Sequence, residues 1–223
     1  MVQRPLPLVA SLSGALSVIL LFVGQGISGG GSSPDLTKSR AEHVAWLAKR
    51  HATTAGYAGD MVALVGILLL IVFAVALWAV LRDGDETGVT AMTALGAGIA
   101  SAIIKLASVP AAFAVYWRND QGFDPQLATA LLDMNDAAFV LTWALDALML
   151  GAAAVVIFRA GVLPRWLGWL GAVAATLSIV SVPVATKVPP FGILLTFVWM
   201  VGTSVVLTRR SLRRAPRVAV ATA

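Results

Sequence analysis

The stretch MVALVGILLLIVFAVALWAVL, residues 61–81, runs for 21 residues without a charged side chain. Crossing about 30 Å of hydrocarbon takes about 20 residues of α-helix, because the helix rises about 1.5 Å per residue. A buried helix of a water-soluble domain rarely needs an apolar run of this length. The stretch therefore predicts a transmembrane helix and assigns the chain to the integral membrane proteins.

Five more stretches on either side of it have similar length and composition. The predicted spans are 8–27, 61–81, 91–115, 137–158, 166–185 and 191–208. The 223 residues are 59% hydrophobic and only 12% charged, and the mean hydropathy is +0.88, far above that of an ordinary globular domain. We predict an all-α bundle of six transmembrane helices that occupies the whole chain, 1–223, as a single transmembrane domain.

The basic residues predict the orientation of the bundle. If the N-terminus is cytoplasmic, nine basic residues fall on the inner side and six on the outer side, four of the six in one long loop. Since short cytoplasmic loops carry the excess of Lys and Arg, both termini are predicted to be cytoplasmic. The excess of Arg over Lys and the many Ala, Val and Gly residues suggest a GC-rich bacterial genome, hence a multi-pass protein of the bacterial inner (plasma) membrane.

The tail, 209–223, places basic side chains directly after the last span. They are Arg209, Arg210, Arg213, Arg214 and Arg217. Each such charge adds about 1 kcal/mol of attraction to an anionic lipid surface. We expect the tail to anchor the topology and to contact anionic lipid, and not to bind nucleic acid.

The segment 28–59 is the only sizeable loop, and the orientation places it outside. Ser33-Pro34-Asp35 offers a cap, a first-turn proline and an early acid, which predicts that a helix begins there. Apolar Val44 and Leu47 recur at helical spacing and Trp46 adds an aromatic anchor. The pattern favours an amphipathic helix lying on the outer membrane surface.

His43 and His51 in this loop are the only histidines. Together with Glu42 and Asp60 they offer metal-ligating groups, but eight residues separate the two imidazoles, about 80° around a helix. We expect solvated interfacial histidines and no metal site. The chain has no cysteine, no glycine-rich phosphate loop and no Gly-x-Ser-x-Gly elbow, and no histidine in a span, so we expect no cofactor and identify no catalytic residue.

Lys105 and Asp146 are charged residues near the middle of the third and fourth spans, in TALGAGIASAIIKLASVPAAFAV (93–115) and AAFVLTWALDALMLGAAAVVIF (137–158). A charge at the centre of a bilayer costs a few kcal/mol. Measured from Val115 and Asp136, each lies ten residues from the outer end, a depth of about 15 Å. Equal depth on adjacent antiparallel helices predicts an intramembrane polar pair.

Other polar side chains share helical faces with this pair or lie above it. A polar seam is formed by Asn135, Thr142, Ser101 and Ser108, and an outer acidic group by Asp60, Asp133 and Asp136. We interpret the acidic group as solvated charges at the helix ends. Because small residues line the third span, we expect it to be buried in the bundle, whereas the uniformly apolar second span is expected to face mainly lipid.

Three functions fit this pattern. The first is a non-catalytic accessory, regulatory or binding protein in which Lys105 and Asp146 fix helix register. The second is a small carrier or proton-coupled permease that uses the pair. The third is an intramembrane enzyme that acts on a lipid or isoprenoid, with a lipid or small apolar molecule as ligand. An acid catalyst must carry a proton, and an ammonium group beside it favours the ionised form, which weighs against the third function.

The turn between the fourth and fifth spans reads Gly161-Val-Leu-Pro-Arg-Trp-Leu-Gly168. Gly161 is suited to end a helix in the left-handed conformation, and Pro164 to begin the next one. The string resembles a turn in a family of small bacterial six-span membrane proteins of unknown function, and residues 57–82 resemble that family's second span. The resemblance implies six helices and a long outer loop between the first two. It implies no activity and no functional residues.

Overall fold

The computed structural model describes residues 7–28, 38–47, 49, 53–184 and 191–214, and all the regular secondary structure in these ranges is helical. Two single 3₁₀ turns follow the third and sixth helices. The α-helices are α1 (Leu8–Ile27), α2 (Arg40–Leu47), α3 (Thr54–Leu81), α4 (Val89–Asn119), α5 (Pro125–Ala160), α6 (Arg165–Ser181) and α7 (Phe191–Arg214).

In the described ranges, five helices are long and apolar enough to cross a membrane: α1, α3, α4, α5 and α7. The chain is therefore a multi-pass, all-α membrane protein that contacts the bilayer. The predicted span 166–185 corresponds to α6, which has 17 residues. It is shorter than the other five helices, which have 20 to 36 residues. The single turn Val182–Val184 continues α6 as a 3₁₀ helix, so its regular α-helical part is shorter than the apolar sequence.

The six long helices form a closed ring. Neighbours around it are α1 and α3, α3 and α4, α4 and α5, α5 and α6, α6 and α7, and finally α7 and α1. Large side chains fill the centre, where Phe73 of α3 meets Trp199 of α7 edge to face with ring centroids 6.0 Å apart. Trp199 Nε1 also donates to the Leu167 carbonyl of α6 at 2.9 Å. The interior is thus a packed core and not an open channel.

The helices α3 and α4 differ from expectation in their burial. In the most apolar 18-residue window of α3, 44% of residues are buried, against 33% in α4. Phe73, Leu77 and Leu81 of α3 point into the core of the ring, whereas Leu68 and Val75 are about half exposed, so α3 has one core face and one outward face. Uniform hydrophobicity suits both environments, so composition alone does not separate a lipid-facing helix from a central one.

The turn between α5 and α6 has the geometry that its sequence predicts. Gly161 has φ 63° and its N–H bonds to the Ile157 carbonyl at 3.0 Å, which ends α5. Pro164 is the N-cap of α6. Arg210 of α7 reaches back and donates through Nη1 to the Val162 carbonyl. The basic end of α7 is thereby held against this turn.

The helix in the loop begins later than predicted. Residues 29–37, which include Ser33-Pro34-Asp35, lie outside the described ranges, but residues 38 and 39 are not helical and α2 starts at Arg40. Ser39 caps it: the Ser39 N–H donates to Glu42 Oε2 at 2.8 Å and the Glu42 N–H donates to Ser39 Oγ at 3.3 Å. This reciprocal pair is a capping box. We call the end of the ring at which α2 lies the α2 end.

The packing of α1 on α3 depends on glycines and yields a stability prediction. A Cβ added to Gly24 would lie 2.6 Å from the Gly59 carbonyl oxygen and 2.7 Å from the Ala63 nitrogen, whereas one added to Gly26 meets nothing within 4 Å. We expect Gly24→Val to force the helices apart and to lower the free energy of unfolding by about 1–3 kcal/mol.

Thermal unfolding in detergent, followed by tryptophan fluorescence, measures this loss. Gly26→Val is the matched control, since it makes the same change in intrinsic helix preference two residues away. Equal unfolding temperatures for the two variants would show that the close approach of α1 and α3 contributes nothing.

Candidate functional site

Lys105 of α4 and Asp146 of α5 face each other in the middle of adjacent helices. Lys105 Nζ lies 3.2 Å from Asp146 Oδ2. The side chain of Asp146 is 5% exposed and that of Lys105 is 15% exposed. A pair of this kind carries no net charge, which is how the apolar surroundings tolerate it.

Ser101 completes the pair. It lies one helical turn from Lys105, is fully buried, and donates to Asp146 Oδ1 at 2.6 Å. The same hydroxyl oxygen accepts from Lys105 Nζ at 3.1 Å. Both carboxylate oxygens therefore accept a hydrogen bond, and the ammonium group has two acceptors. In this closed network the polar atoms of the pair bond to each other and to Ser101.

The other residues of the polar seam form hydrogen bonds within their own helices. Ser108 Oγ donates to the Lys105 carbonyl at 3.0 Å, and the buried Thr142 Oγ1 donates to the Phe139 carbonyl at 2.7 Å. Asn135 Nδ2 lies 3.4 Å from the carboxylate of Asp136, its neighbour in sequence. In the described structure none of these side chains bonds to the side chain of Lys105 or of Asp146. Only Ser101 among the seam residues joins the pair.

The three outer acids do not converge. Asp60 Oδ1 accepts from Ser28 Oγ at 2.9 Å, which ties α3 to the end of α1. Asp133 Oδ1 faces His43 Nε2 at 3.7 Å, and Asp136 lies beside Asn135. No three His, Cys, Asp or Glu side chains of the described residues form a group suited to a metal ion. The acids belong to different contacts and not to one site.

The expectation of solvated histidines is wrong for His43, whose side chain is 2% exposed; His51 lies outside the described residues. The reason is tertiary: α2 packs on α5, and a small apolar cluster of Leu47, Val115, Ala128 and Leu132 joins them to α4. Two local signals pointed to this arrangement. The spacing Ser39-x-x-Glu42 marks the start of α2, and His43 and Leu47, four residues apart, share its inner face.

Two clefts on the described surface lie apart from the pair. One, of about 440 Å³, is lined by Tyr57 and Met61 of α3 and by α4 residues that include Phe113 and Trp117. The other, of about 380 Å³, is apolar and lies between α1 and α7, with Phe22 and Phe197 in its walls. Neither is lined by Lys105 or Asp146.

Comparison with known proteins gives one match. A family model described as a domain of unknown function (DUF4386) matches residues 12–208. No curated protein and no solved structure matches the chain.

Of the two serines Ser101 and Ser108 of α4, only Ser101 belongs to the network with Lys105 and Asp146, and this difference yields a prediction. We expect Ser101→Ala to lower the free energy of unfolding by about 1–3 kcal/mol, because it removes a donor from one buried oxygen of Asp146 and an acceptor from Lys105. Chemical or thermal unfolding in detergent measures the change.

Ser108→Ala is the control, since it is the same substitution on the same helix and removes only a bond to the helix's own backbone. We expect it to change stability by less than about 0.5 kcal/mol. Equal losses in the two variants would contradict a specific role for Ser101.

Proposed function

The chain belongs to the DUF4386 family, a domain of unknown function, and from this premise we propose that it is a non-catalytic membrane protein whose helical ring serves assembly, regulation or accessory binding. The observation that carries the proposal is the closed network of Lys105, Asp146 and Ser101. In this proposal the charges of Lys105 and Asp146 serve to hold α4 against α5.

The alternative functions require something that this network does not offer. A carrier that uses the pair needs an aqueous or substrate-sized path to Asp146, and an enzyme needs a pocket in which a carboxyl group is free to act. Asp146 is 5% exposed, and the two clefts described above have other walls. We therefore assign the pair to helix register.

We further propose that α6 crosses the membrane as the sixth span. It packs between α5 and α7 over its whole length: the Ser178 backbone adjoins Gly192 at one end, and Leu167 accepts from Trp199 toward the other. A 17-residue helix is at the lower limit for crossing a bilayer, and the following 3₁₀ turn lengthens it. With six spans, positive charges gather at the end opposite α2, which favours cytoplasmic termini in a bacterial plasma membrane.

In this arrangement the segments outside the ring have separate tasks. The outer loop, predicted over 28–59, ends at Thr53 because α3 begins at Thr54, and it carries α2 at the level of the outer interface, where Trp46 packs on Tyr116 with ring centroids 6.1 Å apart. The cytoplasmic tail, 209–223, contacts anionic lipid through arginines such as the exposed Arg209, while Arg210 holds the α5–α6 turn. The apolar cleft between α1 and α7 suits a lipid acyl chain.

Three variants test the structural role of the pair: Lys105→Met, Asp146→Leu and the double replacement. Each single variant leaves one buried charge without its partner, so we expect a loss of about 3 kcal/mol or more in the free energy of unfolding. In the double variant no charge remains, and we expect stability to return to within about 1 kcal/mol of the original chain. The folded yield and thermal unfolding in detergent are the measurements.

Leu148→Ala is the control for helix α5, because Leu148 is 50% exposed toward the surroundings of the ring and its truncation leaves the network intact. Normal stability in both single variants would refute the proposed role. So would a proton flux across reconstituted vesicles that the original chain supports and Asp146→Asn abolishes, since a closed structural pair conducts no protons.

A further inference from the structure

The contact between α2 and α5 contains an imidazole whose hydrogen bonding is incomplete. His43 Nδ1 lies 3.1 Å from the Ser39 carbonyl oxygen. A carbonyl oxygen only accepts, so Nδ1 carries the hydrogen. If the ring is neutral, Nε2 then bears a lone pair and has to accept a hydrogen bond.

His43 Nε2 instead faces a second acceptor. It lies 3.7 Å from Asp133 Oδ1, and both atoms are buried without a hydrogen-bond partner among the described residues. A neutral imidazole therefore directs a lone pair at a carboxylate oxygen, and two buried acceptors are left unsatisfied, which is unfavourable. One added proton removes both problems, because Nε2–H then points at Asp133 and a shortening of the 3.7 Å separation by about 0.7 Å gives a charge-assisted hydrogen bond.

We propose that His43 and Asp133 form a proton-binding site that ties α2 to α5 when the solution at the α2 end is acidic. The imidazolium form gains a partner in the docked arrangement and the neutral form does not. The tie is thus present while the ring is protonated and is lost as the pH rises. Histidine is the side chain whose charge ordinarily changes between about pH 5 and pH 8, so a comparison of the two ends of that range tests the proposal.

The other charged groups near α2 have separate contacts. On α2 itself, Glu42 lies 3.7 Å from Lys38, and the Ser39 backbone N–H keeps the pKa of Glu42 below its usual value, so that Glu42 stays ionised throughout this range. Arg40 donates to the side-chain oxygen of Gln126 on α5 at 2.6 Å when that amide is oriented with its oxygen toward the guanidinium. This second tie between α2 and α5 does not depend on pH.

The ionisable groups of α5 and α4 at this end complete the surroundings. Asp124 caps α5 by accepting from the Gln126 N–H at 2.8 Å. Within the described ranges Asp133 is the ionisable group that contacts the imidazole of His43. Other ionisable groups at this end, among the described residues, are Asp136 on α5, Tyr116 and Arg118 at the end of α4, Asp120 just beyond it, Lys49 after α2, and Tyr57 and Asp60 of α3.

Docking of α2 also covers apolar surface. Leu47 is 4% exposed and packs with Val115, Ala128 and Leu132, which are nearly inaccessible. Release of α2 would expose this cluster at the end of the ring. The state of one proton therefore changes the fraction of molecules in which this small apolar patch at the α2 end is covered.

Distance measurements on spin labels test the site, and the absence of cysteine makes labelling specific. Ala45→Cys on α2 and Ala130→Cys on α5, both exposed positions, carry nitroxides in the full chain in lipid nanodiscs. At about pH 5.5 we expect one narrow distance distribution, because the imidazole is protonated. At about pH 8 we expect the undocked population to be about tenfold larger, the factor that one charge-assisted hydrogen bond supplies.

Three variants make the test specific. His43→Gln should make the distribution independent of pH. Asp133→Asn should weaken the response, because the amide NH₂ can donate to the neutral ring and, turned over, the amide oxygen can accept from the imidazolium. Glu42→Gln, the control on the same helix, should keep the original pH response. Thermal unfolding of each variant checks that the ring itself is intact.

Any of three results would overturn the proposal. The first is a distribution that does not change with pH in the original chain. The second is the same pH response in His43→Gln as in the original chain. The third is a zinc ion that, added alone at about pH 8, narrows the distribution in the original chain and not in either His43→Gln or Asp133→Asn. That result would make the pair a metal site.

Discussion

A charged side chain in hydrocarbon needs an oppositely charged group beside it, and this constraint sets the register of α4 against α5. Lys105 and Asp146 meet at 3.2 Å only if the two helices are placed correctly along their axes. If α4 moved along α5 by one helical turn, about 5.4 Å, each of the two charges would lose its partner. The network with Ser101 therefore selects one alignment out of several that the apolar residues around it would tolerate.

In the other helix pairs described below, the alignment depends on the close fit of small residues and not on a pair of opposite charges. At the interface of α1 and α3 the backbones come close at Gly24 and Gly59, and Gly66 of α3 adjoins the backbone of α1. Between α4 and its neighbours Gly98 lies against Met149 and Ala74. Since lipid chains are as apolar as leucine, close packing of this kind is a main source of helix association in a membrane.

Much of this structure could be predicted from the sequence because membrane insertion imposes local rules. The lengths of the apolar stretches predicted where the long helices lie. The equal depth of Lys105 and Asp146 on adjacent spans predicted their contact. The burial of His43 could not be foreseen in the same way, since it depends on α5 folding over α2. The capping box at Ser39 and Glu42 starts α2 at Arg40, later than the Ser33-Pro34-Asp35 signal predicts. The core face of α3 could not be read from hydrophobicity, which is the same for a core and for lipid.

The closed ring places the first and last long helices side by side, with the Ala15 N–H donating to Ser204 Oγ at 3.0 Å and Phe22 packing on Phe197 at 5.5 Å. A ribosome delivers these two helices at opposite times. Until α7 is released, α1 displays the face that later contacts it, including Gly14 and the ring of Phe22. The order of synthesis thus leaves an open seam in the nascent bundle, which other membrane components can occupy before the chain closes on itself.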